Sequence, residues 1–390
     1  MVNYYLYPDD WAYKEDGSTP SVLDGTDGTV RVHTPKFYGK SGSNGNKRWV
    51  RISLVKLDDS WAEIPELLID AYRNTVDNTV SETPKAVSVV NTTEAFRGGG
   101  NRAQFDEYLT TELDTKDAFR SDLGKPRTNV SRANMRTYAT NAGSELLCYE
   151  YYKWIFYWNY VIEYANFNSQ AAYNAELTSD GYRQGGLGPG VTDWSNSATS
   201  WSGYNGTYPI TPCGYCNDIG NFTGIKDLVI PECTAQDGTN TVATHTFKVP
   251  RWRGFDNPFG DIWTNLDGVV IVRAAANEIS TVYTTTNVSE FTDVVGEKTV
   301  AGYEVASDGY IKAFDLGETA EIIPSAVGGS ATTYICDYHY CNASSTALST
   351  LLVGGLAYNG GGAGLGCFLS DGGVGYATSH VGFRTLNRVS

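Results

Sequence analysis

The chain of 390 residues has little of what most enzymes and nucleic-acid binders depend on. Only four histidines occur, His33, His245, His339 and His380, which leaves few candidates for a general base or an imidazole metal ligand. Lys and Arg number 29 against 44 Asp and Glu, and the resulting net charge of -15 argues against a nucleic-acid partner, because affinity for phosphate backbones comes mainly from cations that release counterions. The same deficit disfavours anionic membrane surfaces. Long apolar runs are missing too. The greasiest stretch, Tyr151 to Ile162, is interrupted by Lys153 and Asn159 and is too short to span a bilayer, so no membrane insertion is expected. The amino terminus has neither the basic region nor the apolar core of a secretory signal, and the product is expected to be made and kept soluble.

What is present describes a folded, turn-rich chain: 41% hydrophobic residues, 42 Gly, 27 Tyr and 9 Trp. Disorder and collagen-like repeats are excluded. Length alone is a prior for two or three domains. Seven cysteines are an odd count in a chain long enough to bury a core without staples, which favours reduced thiols. Cys213 and Cys216, with Cys233 and His245 downstream, supply the ligand types of a closed zinc site, but at loose spacing; packed thiols are preferred there, with a disulfide or zinc as alternatives. Cys336 and Cys341 flank His339; packed thiols are preferred there too, with a disulfide or redox chemistry as alternatives.

Residues 1–24 read as a lead-in arm or tether. Apolar and polar residues alternate over Thr29–Lys36 and Arg48–Lys56, predicting two strands joined by a hairpin-like turn at Ser41–Asn46. Glu63–Arg73 places Ile64, Leu67, Leu68 and Ala71 on one side of a short helix. Ser131–Asn166 is helical, broken near Gly143, and Leu147, Tyr151, Ile155, Trp158 and Ile162 form its buried stripe, with the neighbouring aromatics as core. Regular periodicity then fades, and long insert loops are expected over about 185–250. Strands return at Val269–Arg273, Tyr303–Val305, Tyr310–Ala313 and Tyr334–Tyr338. Strand-helix alternation is missing, so a parallel α/β sheet is not expected.

Several familiar chemistries find no support. Gly39-Lys40-Ser41 lacks the first glycine of a phosphate-binding loop, whose position is Thr34. The glycine clusters at 98–100, 185–190 and 360–366 do not match a dinucleotide fingerprint. No nucleophile elbow is found, and the four scattered histidines offer no obvious base for a serine or cysteine nucleophile.

Four ordered segments resemble a family. Arg251-Trp252-Arg253-Gly254-Phe255-Asp256-Asn257-Pro258-Phe259-Gly260-Asp261-Ile262-Trp263, followed by Leu266-Asp267-Gly268, is similar to a segment of C-type-lectin-fold proteins of phage fibre tips and variable surface receptors. Phe96-Arg97-Gly98-Gly99-Gly100-Asn101, Ile162-Glu163-Tyr164-Ala165-Asn166 with Ser169-Gln170, and Leu352-Val353-Gly354-Gly355 with Val381-Gly382-Phe383-Arg384 resemble three more. The likeness runs from about Asp24 to Arg384.

The resemblance implies an α+β, C-type-lectin-like fold with twisted antiparallel sheets, flanking helices and long loops, formed by residues 25–390 as one elaborated domain. It implies a bacteriophage virion surface protein, a fibre or decoration on head or tail like those of crAss-like gut phages, made in the bacterial host cytoplasm. Its expected partners are a host-surface glycan or receptor and other virion proteins, with homotrimeric assembly. In such receptors the ligand face lies between the closing Gly-Gly and the terminal Gly-Phe-Arg. That stretch holds Tyr358, Asn359, Phe368, Ser370, Asp371, Tyr376, Thr378, Ser379 and His380, a mixture of rigid aromatic area and adaptable hydrogen-bonding groups suited to recognition. The formylglycine-generating enzyme shares the fold, but its relatives carry paired cysteines after the closing glycines, where Tyr358, Asn359 and Gly360-Gly361-Gly362 stand here. A non-catalytic binder is therefore expected, with a purely structural virion joint, or a formylglycine-type or glycan-cleaving enzyme, as alternatives. No catalytic residue and no cofactor is expected. Calcium is kept only as an alternative, since Asp256, Asn257, Asp261 and Asp267 bring hard oxygen ligands into one loop region but the same side chains can cap turns, and zinc is not expected.

Overall fold

The fold is described from a computed structural model, which describes residues 21–45, 47–99, 122–173, 211–230, 232–234, 241–357 and 359–389. Strands dominate, with few helices, an α+β composition. The largest sheet runs in the order Thr299–Glu304, Ser280–Thr284, Trp263–Arg273, Ser349–Val353, Phe368–Leu369, Tyr338–Tyr340, Gly309–Asp315, Ile323–Val327. Its pairs are antiparallel except Tyr338–Tyr340 with Phe368–Leu369 and the added Val381–Gly382 with Trp263–Arg273. The two ends approach each other, since the Val305 amide donates to the Pro324 carbonyl at 2.8 Å, so the sheet is nearly closed. A second, four-stranded sheet has the order Arg31–Thr34, Leu67–Asp70, Thr385–Arg388, Glu145–Leu146.

Between these sheets lies the helical segment. Arg132–Asn141 is opened by Ser131, whose Oγ accepts from the Asn134 amide, and is followed by Gly143 in the left-handed region at φ 68°. The second helix runs from Tyr149 to Tyr164 and widens into a π-helical turn over Tyr152–Trp158, where every side chain is buried. Lys153 is inside this wall, and its ammonium bonds Glu150 and Glu321, each at 2.7 Å, which makes a buried cation tolerable. Trp154 lies so close to Gly39 that a Cβ there would come within 2.4 Å of the indole. The aromatic run is core, as its spacing predicts, except that Ile162 at its end is 40% exposed.

The structure corrects several local expectations. Glu63–Arg73 is not a helix but two strands, Ala62–Ile64 and Leu67–Asp70, separated by Pro65. Leu67–Asp70 pairs on both edges, with Arg31–Thr34 and Thr385–Arg388, and these ladders outweigh local propensity. The hairpin uses Phe37–Asn44 and Lys47–Ser53, while Arg31–Thr34 belongs to the other sheet. Within the region read as insert loops, Gly224–Ile230 and His245–Trp252 form an antiparallel pair, whereas 185–210 lies outside the described residues. Of Tyr334–Tyr338 only the last residue is strand, because Tyr334 and Cys336 take left-handed backbone at φ 59° and 68°. The first twenty residues of the expected arm lie outside the described set; by Leu23 the chain is docked, its carbonyl accepting from the Val90 amide at 2.7 Å.

Candidate ligand-binding face

The segments that carry the family resemblance build the frame beneath the expected face. Arg384 is buried, donates to the carbonyls of Asp70 at 2.9 Å and of Asp256, and lies over the rings of Phe156 and Phe255, each at 6.0 Å. Arg251 pairs with the Asp256 carboxylate at 3.0 Å, and Arg73 donates to the Asn257 carbonyl at 2.6 Å. Gly355 is left-handed at φ 73°, and a Cβ on it would meet Ala363 at 2.8 Å. These charged groups occupy polar positions in a core that would otherwise leave strand-end carbonyls unsatisfied.

On that frame the expected ligand residues divide. Tyr358 lies outside the described residues. Phe368 is fully buried against His339, with ring centroids 5.7 Å apart, and belongs to the core. Ser370 is 4% exposed and its hydroxyl donates to Glu304 Oε1, so it too faces inward. Both fall short of the expected face because the short Phe368–Leu369 strand lies between Tyr338–Tyr340 and Ser349–Val353 inside the large sheet. Asn359 is half-buried and holds its own turn: Oδ1 accepts from the Leu356 amide at 2.7 Å and Nδ2 donates to Tyr340 Oη at 3.0 Å.

The remaining five come together between residues 371 and 380. Asp371 is exposed, and Tyr376, Thr378, Ser379 and His380 are half-buried. The backbone of this stretch is pinned throughout: Gly372 O accepts from Thr350 at 3.1 Å, Val374 N donates to Leu348 at 3.1 Å, Thr378 O accepts from Asn129 at 2.8 Å and His380 O accepts from Trp263 at 2.9 Å. A Cβ at Gly372 would fall 2.8 Å from the Tyr376 ring, so glycine allows that ring to fold back over the turn. Burial pushes the His380 imidazole down to about 4, which keeps it neutral at physiological pH. Thr378 Oγ1 and His380 Nδ1 are buried polar atoms with no hydrogen-bond partner among the described residues.

Beside this stretch lies a small polar pocket lined by Arg273, Ser280, Glu304, Asn342 and Ser370 among others. Its residue types invite comparison with a catalytic triad, but the order is wrong. Glu304 Oε1 sits between Ser370 and His339, whose Nε2 is 2.9 Å away, while His339 Nδ1 faces the Ser307 carbonyl at 2.9 Å. The histidine thus makes no contact with the serine and cannot take its proton. Arg273 lies 3.6 Å from the same carboxylate and donates to Ser280 Oγ and the Asn342 carbonyl. Through Arg273, Ser280, Glu304 and His339 the cluster ties four strands together.

The proposed calcium ligands are separated by their partners. Asp256 faces Arg251, and Asp267 is fully buried against Arg136 at 2.6 and 2.8 Å. Cys213 and Cys216 donate to the carbonyls of Arg73 and Val249, and burial raises both thiols, so neither is a ready thiolate. The side chains of Cys233 and His245 lie outside the described set. Among the described residues no three His, Cys, Asp or Glu side chains converge as metal ligands.

Sequence reasoning missed one feature close by. Tyr310 and Tyr338, read only as strand residues, form with Tyr340 a band of half-buried rings alongside the Gly360–Gly362 turn, with centroids 5.1 Å apart for the first pair and 4.5 Å for Tyr338 and Tyr340. The alternation Tyr338-His339-Tyr340 is the sequence signal, since it puts both tyrosines on one face of a strand.

No family model matches the chain, and no curated protein matches it. Among solved structures it is similar to one described as "Major Tropism Determinant U1 Variant", at 12% identity over 99% of this chain and 73% of that one, with a TM-score of 0.28. A likeness of that size carries no argument about fold or function.

Proposed function

We propose that the chain is a virion surface protein, a fibre or decoration with a lectin-like domain, that binds a host-surface ligand without acting chemically on it. The observation that carries this reading is the 371–380 surface. Asp371, Tyr376 and Ser379 offer acidic, aromatic and hydroxyl groups at the surface from a backbone held by hydrogen bonds at Gly372, Val374, Thr378 and His380. Affinity is lost to the ordering of any loop that is not pre-organised, so a diverse set of side chains on a pinned backbone is a good binding face. The ordered motif resemblance supports a phage origin, and the same resemblance suggests a homotrimer. A catalytic reading has less support, because the Ser370, His339 and Glu304 grouping is arranged as a structural tie.

The test is binding of the labelled full-length chain to a panel of bacterial strains, compared with Tyr376→Ala and Asp371→Asn. Each variant is expected to bind about tenfold more weakly while keeping the wild-type melting curve, as for the loss of one anchoring contact. Undiminished binding by both variants would remove the face from this stretch. Failure of the wild type to bind any strain, together with normal incorporation into virions, would favour a structural joint.

A further inference from the structure

Tyr310 and Tyr338 stand opposite each other on paired strands, and Tyr338 and Tyr340 are alternate residues of one strand. All three phenols therefore emerge on one side of the large sheet, while His339 between them points into the core. Tyr340 rests edge-on against buried Trp263, with centroids 5.9 Å apart, so the band has a rigid base. Each of the three rings remains partly open to solvent. The turn that passes beside them is Gly360–Gly362, which brings no side chain to cover them. A Cβ on Gly362 would lie 3.0 Å from Tyr338 Cβ, and one on Gly361 would lie 3.9 Å from Tyr310 Oη. A polar group accompanies the rings: the Asn359 amide donates to Tyr340 Oη at 3.0 Å, and exposed Lys312 lies two residues beyond Tyr310 in the chain.

We propose that this tyrosine band is a binding platform for a neutral, hexopyranose-containing glycan; this deepens the host-surface reading and rests on it. A pyranose presents a face of C–H groups and a rim of hydroxyls. A row of fixed aromatic rings meets the first, and phenol and amide groups meet the second. The rings are already immobilised by each other and by Trp263, so little rotamer freedom remains to be lost on binding. The chain's charge of -15 selects against polyanionic glycans, whose approach it opposes at ordinary salt.

The experiment prints bacterial surface polysaccharides, neutral and acidic, on an array and probes it with the full-length chain. Tyr310→Leu, Tyr338→Ala and, as an exposed control outside the band, Tyr303→Ala are tested beside the wild type. Leucine at 310 keeps apolar bulk on the strand, so it separates loss of stacking from loss of fold. The expected result is binding to neutral polysaccharides that falls about tenfold in both platform variants and is unchanged in Tyr303→Ala. Neutral binding that survives both substitutions overturns the location. Binding to acidic polysaccharides alone, or to none, overturns the ligand class. Binding to whole cells is measured in parallel. If it persists while the array stays blank, the glycan platform falls and the host-surface reading stands; if whole-cell binding is absent as well, both fall.

Discussion

Protonation of His380 is expected to weaken the fold in mildly acidic conditions. Burial lowers its imidazole from the ordinary value of 6.5 to about 4, so the unfolded chain takes up a proton at a pH where the folded chain does not. Stability is then fully present above about pH 6.5 and is lost as pH falls toward 4. The whole shift corresponds to about 3 kcal/mol at ~1.4 kcal/mol per pH unit, and about 2 kcal/mol of it is lost by pH 5. Because the ring is half-buried and partly screened by water, about 1 kcal/mol is the working figure at pH 5. The assay is urea unfolding of the wild type and His380→Gln at pH 7, 6 and 5. The variant should lose less stability than the wild type over this range, because glutamine has no proton to accept. Parallel curves for the two proteins, or an His380 ring resonance that titrates above pH 6, would refute the argument.

Two further outcomes follow from buried charges. Arg384→Ala removes both bonds to the Asp70 and Asp256 carbonyls and the packing between Phe156 and Phe255, so urea unfolding should show a loss of about 3–5 kcal/mol, with Arg384→Met recovering only the packing share; an alanine variant within about 1 kcal/mol of wild type contradicts the frame described for it. Asp337 is 1% exposed, accepts from the Gly366 amide at 2.7 Å, and is pushed well above the ordinary carboxyl value of 3.8 by burial. Its contribution is fully present below about pH 3.8 and is lost as pH rises through the folded value, so Asp337→Asn, which keeps the acceptor, should melt higher than wild type at pH 8 and show a smaller gain at pH 5; a lower melting point at pH 8 would count against it.

How far the sequence could be read depended on whether the deciding contacts were local. The helix from Tyr149 to Tyr164 declares itself, because three- and four-residue aromatic spacing and burial are properties of the same segment. Leu67–Asp70 does not, since its strand character comes from ladders to Val32 and Leu386, far away along the chain. The site divides along the same line. Asp371 and Tyr376 are singled out by the motif resemblance, and the structure leaves the first exposed and the second half-buried. Phe368 and Ser370 were not, because Glu304 and His339, brought alongside by sheet pairing, decide which way they point. The tyrosine band depends on the register that sets Tyr310 opposite Tyr338, which no single segment reveals.

The four-stranded sheet also sets a clock on biogenesis. Its Leu67–Asp70 strand is covered on one edge by Thr385–Arg388, and the Arg384 contact to Asp70 spans 314 residues of chain. At ~5–20 residues per second of translation, that edge waits about 15–60 s for its partner. Leu67, Leu68 and Ile69 spend the interval as an open apolar strand, the kind of edge that recruits other chains. Nascent chains on one crowded message are therefore exposed to one another long before any of them closes this sheet.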